Sequence, residues 1–255
     1  MLSAARKAEF AERGFIVLRG AVPAALVAAA RDKIDRSLAA DASIGRNRWF
    51  ADNSFCPDLV RDPTIVALLR GTSLLSAVEE LFGAPDSARV NDSAQIALRF
   101  PDMRAEPGHG GPHIDGFPAG TNQVAPGEVW RQTALVGVYL SAAAAEMGNF
   151  VVWPGSPRRI AAFMRDRDAP VFLRAQGAEA LLAAAMSIDL GAPEPLIVAP
   201  GDAVIAHHLL AHSVAWNLSL RLRYAVYFRV LHRDDQPRDP APLMDERRFF
   251  AGAFG

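Results

Sequence analysis

The sequence contains a single cysteine, Cys56, in 255 residues, so no disulfide can form within the chain. One thiol also excludes a zinc or iron–sulfur site that is built from cysteine ligands. Lysine is almost as scarce, because Lys7 and Lys33 are the only two and arginine supplies the rest of the 27 basic side chains. Structural or catalytic sites therefore have to come from histidine, carboxylates and arginine.

The chain also lacks an excess of charge of either sign. Its 27 basic and 28 acidic side chains give a formal charge of -1, which provides no general attraction to nucleic acid or to an anionic membrane. No apolar run approaches the roughly 18 residues of a membrane span, and residues 1–14 lack the apolar core of a signal peptide. We therefore expect a cytoplasmic protein whose partner is a small-molecule substrate. The sequence leaves the oligomeric state open.

What the chain does have is a large apolar fraction, 51% of its residues, which is enough for a substantial core. Residues 1–85 are mostly of helical pattern, with Gly14 and Pro23 as a stop and a start signal. Short β-rich runs bounded by glycine and proline follow over residues 89–100, 133–141, 149–153, 196–198, 203–207 and 223–231. We predict one domain over 1–255, mainly β with flanking α-helices, in which a helical insertion at about 156–189 interrupts a β core spanning 86–255.

The first candidate site is the loop that contains His113 and Asp115. In an extended segment, residues two apart project from one face, so this imidazole and this carboxylate can reach the same point. A second histidine from a distant strand would complete two histidines and one carboxylate. That set occupies one face of an octahedral Fe(II) and leaves the other face open. By itself the H-x-D pattern is weak evidence, because it occurs often by chance.

The second candidate site is the stretch from residue 200 to 230, which has three histidines followed by two arginines. The histidines are His207, His208 and His212, and the arginines Arg221 and Arg223 lie at or near the start of a β-rich run. An arginine held inside a barrel needs an anionic partner, because an unpaired buried guanidinium is very costly. A dicarboxylate cosubstrate would supply such a partner, since the guanidinium fork matches a carboxylate.

Taken together, these motifs resemble the phytanoyl-CoA dioxygenase family of Fe(II)- and 2-oxoglutarate-dependent oxygenases. The family's first metal motif, H-x-D, is matched by residues 113–115. Its distal motif has histidine, then asparagine at +5, serine at +7 and arginine at +11, and it is matched by His212, Asn217, Ser219 and Arg223. Residues 147–158 resemble the family's strand and Pro-Gly-Ser turn, and residues 14–23 resemble its opening. The likeness therefore extends over nearly the whole chain.

The resemblance implies a double-stranded β-helix, a jelly-roll of cupin-like type, and it selects among the histidines. It implies that Fe(II) is bound by His113, Asp115 and His212 and that Arg223 binds the distal carboxylate of 2-oxoglutarate, with O2 as the oxidant. Gln95 and Trp130 lie near family positions that line the 2-oxoglutarate pocket, and either residue has core packing as an alternative interpretation.

The implied reaction is hydroxylation of an unactivated C–H bond in a small organic or acyl substrate, with release of succinate and CO2. Asp115 favours this outcome, because family relatives that halogenate have a small residue at that position. Two departures concern the cosubstrate: Val214 stands where the family often has serine, and Pro157 and Arg158 follow Ser156 where the family turn ends in histidine. The loop 45–57 and the insertion 156–189 are candidate lids.

Two other interpretations remain open at this point. One is a cupin-like metalloenzyme that does not use 2-oxoglutarate, and the other is a non-catalytic binding protein on the same fold. Arg223 discriminates against the first, which has no need of an arginine eleven residues after the metal histidine. The complete set of metal ligands discriminates against the second.

Overall fold

Two antiparallel sheets face each other in the computed structural model, which describes residues 1–40, 54–102, 106–119, 124–125 and 127–255. The strands are β1 (Phe15–Leu18), β2 (Ala88–Arg99), β3 (Ala134–Tyr139), β4 (Phe150–Val152), β5 (Glu194–Pro195), β6 (Ala203–His207), β7 (His212–Val214) and β8 (Arg223–His232). The large sheet has the order β1-β6-β3-β8-β2, and the small sheet has the order β5-β4-β7.

Helices flank the sheets. They are α1 (Ala4–Arg13), α2 (Ala24–Ala40), α3 (Pro63–Arg70), α4 (Leu74–Phe82), α5 (Ser156–Asp166), α6 (Ala169–Gln176), α7 (Ala178–Met186) and α8 (Ala251–Phe254). Helices α1 to α4 share one hydrophobic core with the outer face of the large sheet, while α5 to α7 occupy the predicted insertion and form a second core. Within the described ranges, no helix combines the length and apolar character that a bilayer crossing requires.

Local sequence signals explain how the first helix is joined to the rest. The Ser3 hydroxyl caps α1 by accepting the Arg6 N–H at 3.3 Å. Gly14 ends the helix with a φ of +82°, and its N–H donates to the Phe10 carbonyl. A Cβ at Gly14 would lie 2.4 Å from Cγ of Pro157, so glycine is also required there for the close approach of α5.

Alternation along β2 and β8 separates two environments. Ile96 and Leu98 point into the core shared with the helices, whereas Ala97 belongs to the core between the sheets. The register of the two strands pairs Ala97 with Ala225. Residues of odd number in these parts of β2 and β8 therefore face the small sheet, which makes this inner face the place for a binding site.

Two details of the small sheet differ from the sequence prediction. The predicted strand at 196–198 is replaced by β5 at Glu194–Pro195, and Val198 makes only an isolated bridge with Ala143. The strand β7 was not predicted at all. It has three residues and pairs with β4 on one side, so its conformation depends on long-range pairing that local pattern does not report.

Candidate metal and cosubstrate site

Strand β7 positions both metal motifs. The segment before Asp115 runs alongside β7, and His113 and His212 exchange two backbone hydrogen bonds of 3.0 Å and 2.9 Å. A further bond runs from the Gly110 N–H to the Val214 carbonyl at 3.1 Å. This pairing brings residues that are about a hundred positions apart in sequence to the same point between the sheets.

The side chains of His113, Asp115 and His212 converge. One ligand atom from each lies within 4.8 Å of the other two. The two imidazole centroids are 4.4 Å apart, and Nε2 of His212 lies 3.6 Å from Oδ1 of Asp115. Two imidazoles and one carboxylate in this arrangement form the facial donor set that suits Fe(II) and leaves three positions free.

The unused ring nitrogen of His212 fixes the orientation of that imidazole. Nδ1 of His212 lies 2.9 Å from the Leu210 carbonyl oxygen, so the ring donates its Nδ1–H there. This hydrogen bond leaves the lone pair of Nε2 directed at the centre of the triad, as a metal ligand requires. The His113 ring is held in a similar way by a hydrogen bond to the backbone of Gly111.

Asp115 is oriented by two neighbours on the large-sheet side. Nε2 of Gln132 donates to Oδ2 of Asp115 at 3.1 Å, and Nη2 of Arg229 donates to the same oxygen at 3.3 Å. Burial alone would raise the pKa of Asp115. The charge of Arg229, followed by the interactions with His212 and His113, outweighs burial and holds this pKa well below its usual range. The carboxylate is therefore ionised at neutral pH.

His113 is neutral at the same pH. Desolvation by the surrounding protein, followed by the nearby His212, lowers the pKa of His113 to about 4. Metal binding requires deprotonated ligands, so competition with protons at this imidazole is small near neutrality.

We predict that Gln132→Ala weakens Fe(II) binding by about 10- to 100-fold, because the carboxylate ligand loses a partner that orients it. Anaerobic Fe(II) titration against a competing chelator measures the effect. Gln236→Ala, a change of the same kind at an exposed side chain, is the control and retains wild-type affinity. Equal affinities for both variants would show that Gln132 does not support the metal site.

A pocket of about 120 Å³ extends from the triad between the two sheets. Its walls are Gln95, Ala97, Arg99, His113, Asp115, Leu135, Phe150, His212, Ser213, Val214, Arg223, Tyr227 and Arg229. The strands β2, β3 and β8 provide its floor, while Phe150 from β4 and residues of β7 cover it.

Arg223 lies in this pocket and is only 2% exposed. Its Nε donates to the Gly148 carbonyl at 2.9 Å, and its Nη1 donates to the Ala97 carbonyl at 3.1 Å. Within the described part of the chain, no carboxylate lies within ion-pair distance of this guanidinium. A buried cation with only carbonyl partners is costly, so an anion entering the pocket would be bound strongly there.

Asn217 and Ser219 hold the turn that leads into β8. The Asn217 amide nitrogen donates to the carbonyls of Arg99 and Arg221, both at 2.7 Å, and thereby ties the end of β2 to the start of β8. The Ser219 hydroxyl donates to Oδ1 of Asn217 at 2.7 Å. The residues at +5 and +7 of the distal motif therefore have a structural role. They fix the start of β8, where Arg223 lies.

The structure separates the two weaker site predictions. Gln95 lines the pocket of the triad and also a second, adjoining pocket of about 670 Å³. Trp130 lines only the second pocket, where its side chain is 51% exposed and the guanidinium of Arg238 lies 5.7 Å from the ring centroid. Contact of either residue with the cosubstrate stays a prediction.

The remaining candidates lie elsewhere. Arg221 is exposed. His207 and His208 are buried and stack on each other with ring centroids 4.3 Å apart, and they bond to the carbonyls of Glu246 and Pro242. The interval of eleven residues between His212 and Arg223 therefore selects the histidine that the structure places beside His113.

Buried His207 gives a pH-dependent stability. Burial lowers its pKa to about 4, while an unfolded histidine titrates near 6.5. The unfolded state thus binds more protons between these values, so the stabilisation is complete above pH 6.5 and is lost as the pH falls towards 4. We predict that His207 alone contributes about 3 kcal/mol to this loss.

Chemical unfolding of wild type and His207→Phe between pH 7 and pH 4 measures this contribution. The phenylalanine variant is less stable at neutral pH, because the carbonyl of Glu246 loses its partner, but its stability declines less steeply as the pH falls. His109→Phe, at an exposed position, is the control. An identical pH dependence for all three proteins would contradict the assignment.

Sequence reasoning did not identify Arg99, Gln132 and Arg229 as site residues. Arg229 could have been found from the sequence. It lies six residues after Arg223 on the same predicted strand, and an even spacing along a strand places two side chains on one face. Arg99 required the register between β2 and β8, which no local pattern contains. Gln132 lies just before β3 and becomes significant only through its contact with Asp115.

A jelly-roll with this facial donor set and a buried arginine defines the class of metal-dependent oxygenases. The family model of phytanoyl-CoA dioxygenase (PhyH) matches residues 10–225, and the chain belongs to this family of iron- and 2-oxoglutarate-dependent oxygenases. The predicted jelly-roll fold is confirmed, and the predicted iron and 2-oxoglutarate are confirmed as the cofactors of the family. No curated protein matches the chain.

Several solved structures share the fold at low sequence identity. The carbocyclase SnoK from nogalamycin biosynthesis is 20% identical, with a TM-score of 0.61, 93% of this chain and 87% of that chain being covered. The epimerase SnoN, in complex with Fe3+, alpha ketoglutarate and nogalamycin RO, is 19% identical with a TM-score of 0.60. The match covers 94% of this chain and 88% of SnoN. HygX from Streptomyces hygroscopicus, with nickel and 2-oxoglutarate bound, is 17% identical with a TM-score of 0.60, covering 93% and 90%.

Proposed function

We propose that this chain is an Fe(II)- and 2-oxoglutarate-dependent hydroxylase of a small organic substrate. The observation that carries the proposal is a single pocket with the facial donor set at one place and the buried Arg223 at another. Among the residues that the structure describes, Arg223 has no carboxylate partner. The SnoN and HygX structures, which contain 2-oxoglutarate together with a metal ion, support the same assignment. The cupin-like alternative without 2-oxoglutarate does not account for Arg223.

Each residue then has a defined task. His113, Asp115 and His212 would hold the iron on one face, and Arg223 would bind the distal carboxylate of 2-oxoglutarate. Bound together, iron and 2-oxoglutarate supply the activation of O2, with loss of CO2 and formation of succinate. The carbonyls of Gly148 and Ala97 hold the guanidinium in place, so little side-chain entropy is lost when the carboxylate binds.

The floor of the pocket leaves room for the cosubstrate. Ala97 and Ala225 face each other across β2 and β8 with small side chains. At Gly137 of β3 a Cβ would lie 2.5 Å from the Tyr227 ring, so glycine allows that ring to lie flat against the sheet. Phe150 stacks near His212, with centroids 5.1 Å apart, and limits the access of water from the small-sheet side.

The second pocket is our proposed substrate site. It shares Gln95, Asp115 and Arg229 with the pocket of the triad, so a substrate there would lie beside the metal. At about 670 Å³ it is larger than the cosubstrate pocket of about 120 Å³. Exposed amide, hydroxyl and guanidinium groups, together with the indole of Trp130, line it and suit a polar substrate that has a flat or apolar face.

Of the two candidate lids, the structure describes the insertion 156–189 completely and the loop 45–57 only in part. None of the described residues that line the two pockets belongs to the insertion 156–189, which argues against a lid at that place. Helices α5 to α7 pack instead on Ile114 and Phe117, the neighbours of Asp115, and stabilise the metal motif from behind. Residues 45–53 of the other candidate loop lie outside the described residues.

Hydroxylation is the proposed outcome because Asp115 completes the donor set. The similar proteins SnoK and SnoN are named as a carbocyclase and an epimerase, so the mass of the product is the discriminating observation. Hydroxylation adds one oxygen atom, ring closure removes two hydrogen atoms, and epimerisation leaves the mass unchanged.

The experiment that tests the proposed function follows succinate formed from 2-oxoglutarate in the presence of Fe(II) and O2, with a panel of polar ring-containing compounds as substrates. We expect slow succinate formation with the protein alone and faster formation with a substrate, and none when Fe(II) or O2 is omitted. Iron binding without succinate under any of these conditions would favour the cupin-like alternative, and absence of iron binding would favour a binding protein.

A further inference from the structure

We propose that Arg99 is a second residue that binds the distal carboxylate of the cosubstrate. With Arg223 it would form a two-arginine clamp, defined here as these two guanidinium groups, that selects a dicarboxylate over a monocarboxylic keto acid. The inference rests on the proposed function, since it concerns the same cosubstrate.

The register of the large sheet places the two arginines opposite each other. Arg99 at the end of β2 pairs with Arg223 at the start of β8, and both side chains line the pocket of the triad. Like charges that are directly opposite on neighbouring strands destabilise a sheet. A pair of arginines in this position therefore costs stability unless an anion lies between them.

No acidic side chain in the described part of the chain compensates the charge of the pair. Nη1 of Arg99 donates to the carbonyl of its own neighbour Leu98 at 3.2 Å, and Arg223 contacts two carbonyls. Among the residues that the structure describes, neither guanidinium forms an ion pair with a carboxylate. Desolvation, followed by the charge of Arg223, lowers the pKa of Arg99 to about 10, so Arg99 remains charged at neutral pH.

The arrangement of the pocket floor matches an elongated dianion. Three cross-strand pairs follow one another along it: Gln95 with Tyr227, Ala97 with Ala225, and Arg99 with Arg223. All of these residues except Ala225 line the pocket. Arg229, six residues beyond Arg223 on the same face, contacts the metal ligand Asp115. The metal end and the clamp are thus separated by the small alanine pair, over which the carbon chain of a dicarboxylate would lie.

Asn217 holds the clamp together. By donating to the carbonyls of Arg99 and Arg221, it fixes the strand ends that carry the two arginines. Gly148 lies against this assembly, since a Cβ there would be 2.8 Å from Cβ of Arg99. The strand ends that carry the two arginines are therefore held together by the fold before any ligand binds.

The test compares anaerobic binding of 2-oxoglutarate and of 2-oxopentanoate to the Fe(II)-loaded protein. The second compound has a methyl group in place of the distal carboxylate. We expect Arg99→Gln to weaken 2-oxoglutarate binding by about 10- to 100-fold and to leave 2-oxopentanoate binding unchanged. Arg221→Gln, at an exposed arginine two residues before Arg223, is the matched control and behaves as wild type.

Two further measurements separate a binding role from a purely structural one. In Arg99→Gln/Arg223→Gln the loss should be smaller than the product of the single losses, because both groups serve one carboxylate. The metal-free Arg99→Gln protein should melt at a higher temperature than wild type, since the repulsion between opposed charges is removed. If Arg99→Gln does not fold, Arg99→Lys, which keeps the charge, should retain the preference for 2-oxoglutarate in part.

The outcomes distinguish this inference from the proposed function. Unchanged discrimination between the two keto acids in Arg99→Gln, or in the uncharged Arg99→Met where Arg99→Gln does not fold, would overturn the clamp while leaving the oxygenase assignment intact. Wild-type protein that binds iron but neither keto acid would overturn the proposed function itself. A lower melting temperature in Arg99→Gln with unchanged keto acid affinities would make Arg99 a packing residue.

Discussion

His212→Ala is expected to abolish retention of Fe(II) and, with it, all turnover of 2-oxoglutarate. The substitution removes one of three ligands, and the remaining imidazole and carboxylate are a weak site that shares the metal with three or more waters. The backbone bonds between His113 and His212 do not use the side chain, so β7 keeps its place beside the H-x-D segment.

Metal content after anaerobic loading and desalting measures this effect. His109→Ala is the matched control, because His109 is an exposed histidine on the same segment as His113 and outside the donor set. We expect about one iron per chain in wild type and in the control, on the three-ligand model. Retention of the same amount of iron by a folded His212→Ala protein would show that the metal lies elsewhere.

Arg223→Ala is expected to leave iron bound and to weaken 2-oxoglutarate binding by about 1.5–3 kcal/mol, the range for hydrogen bonds to charged groups. The affinity for 2-oxoglutarate decreases and the affinity for iron does not, because the guanidinium does not contact the donor set. Its carbonyl partners, Gly148 and Ala97, also lose their donors, so a lower melting temperature accompanies the change.

Anaerobic titration with 2-oxoglutarate measures this loss, and the exposed Arg221→Ala is the control. Arg223→Lys separates charge from geometry, since lysine keeps the charge but cannot offer two parallel donors, and it should bind 2-oxoglutarate with intermediate affinity. Arg223→Ala protein that titrates like wild type would contradict the assignment of the cosubstrate pocket.

Much of the site was predictable because its chemistry is contained in local motifs. His113 and Asp115 are two residues apart, so any extended backbone directs them to one face. His212 and Arg223 are separated by a turn of fixed length that Asn217 and Ser219 stabilise. Because all four residues are close in sequence, their spacing could be recognised without the structure. The helices of the first 85 residues were also predictable, because capping residues and glycines mark their ends.

The rest depends on contacts between distant segments. Arg99 belongs to the pocket only because β2 pairs with β8 in one particular register. A shift of one residue in this register would direct the Arg99 side chain to the opposite face of the sheet, away from the pocket. Strand β7 exists through its pairing with β4 and with the segment before Asp115. Trp130 lies close to the H-x-D segment in the chain, yet the fold directs it to the second pocket.

The most direct test of the account needs no substrate. Fe(II) and then 2-oxoglutarate are added to the metal-free protein in the absence of O2, and the visible spectrum is followed for the weak charge-transfer band of a keto acid chelated to iron. We predict that the band forms in wild type, fails to form in His212→Ala, and requires more 2-oxoglutarate in Arg223→Ala. Wild-type protein that binds Fe(II) without developing the band would contradict the assignment of 2-oxoglutarate as the cosubstrate.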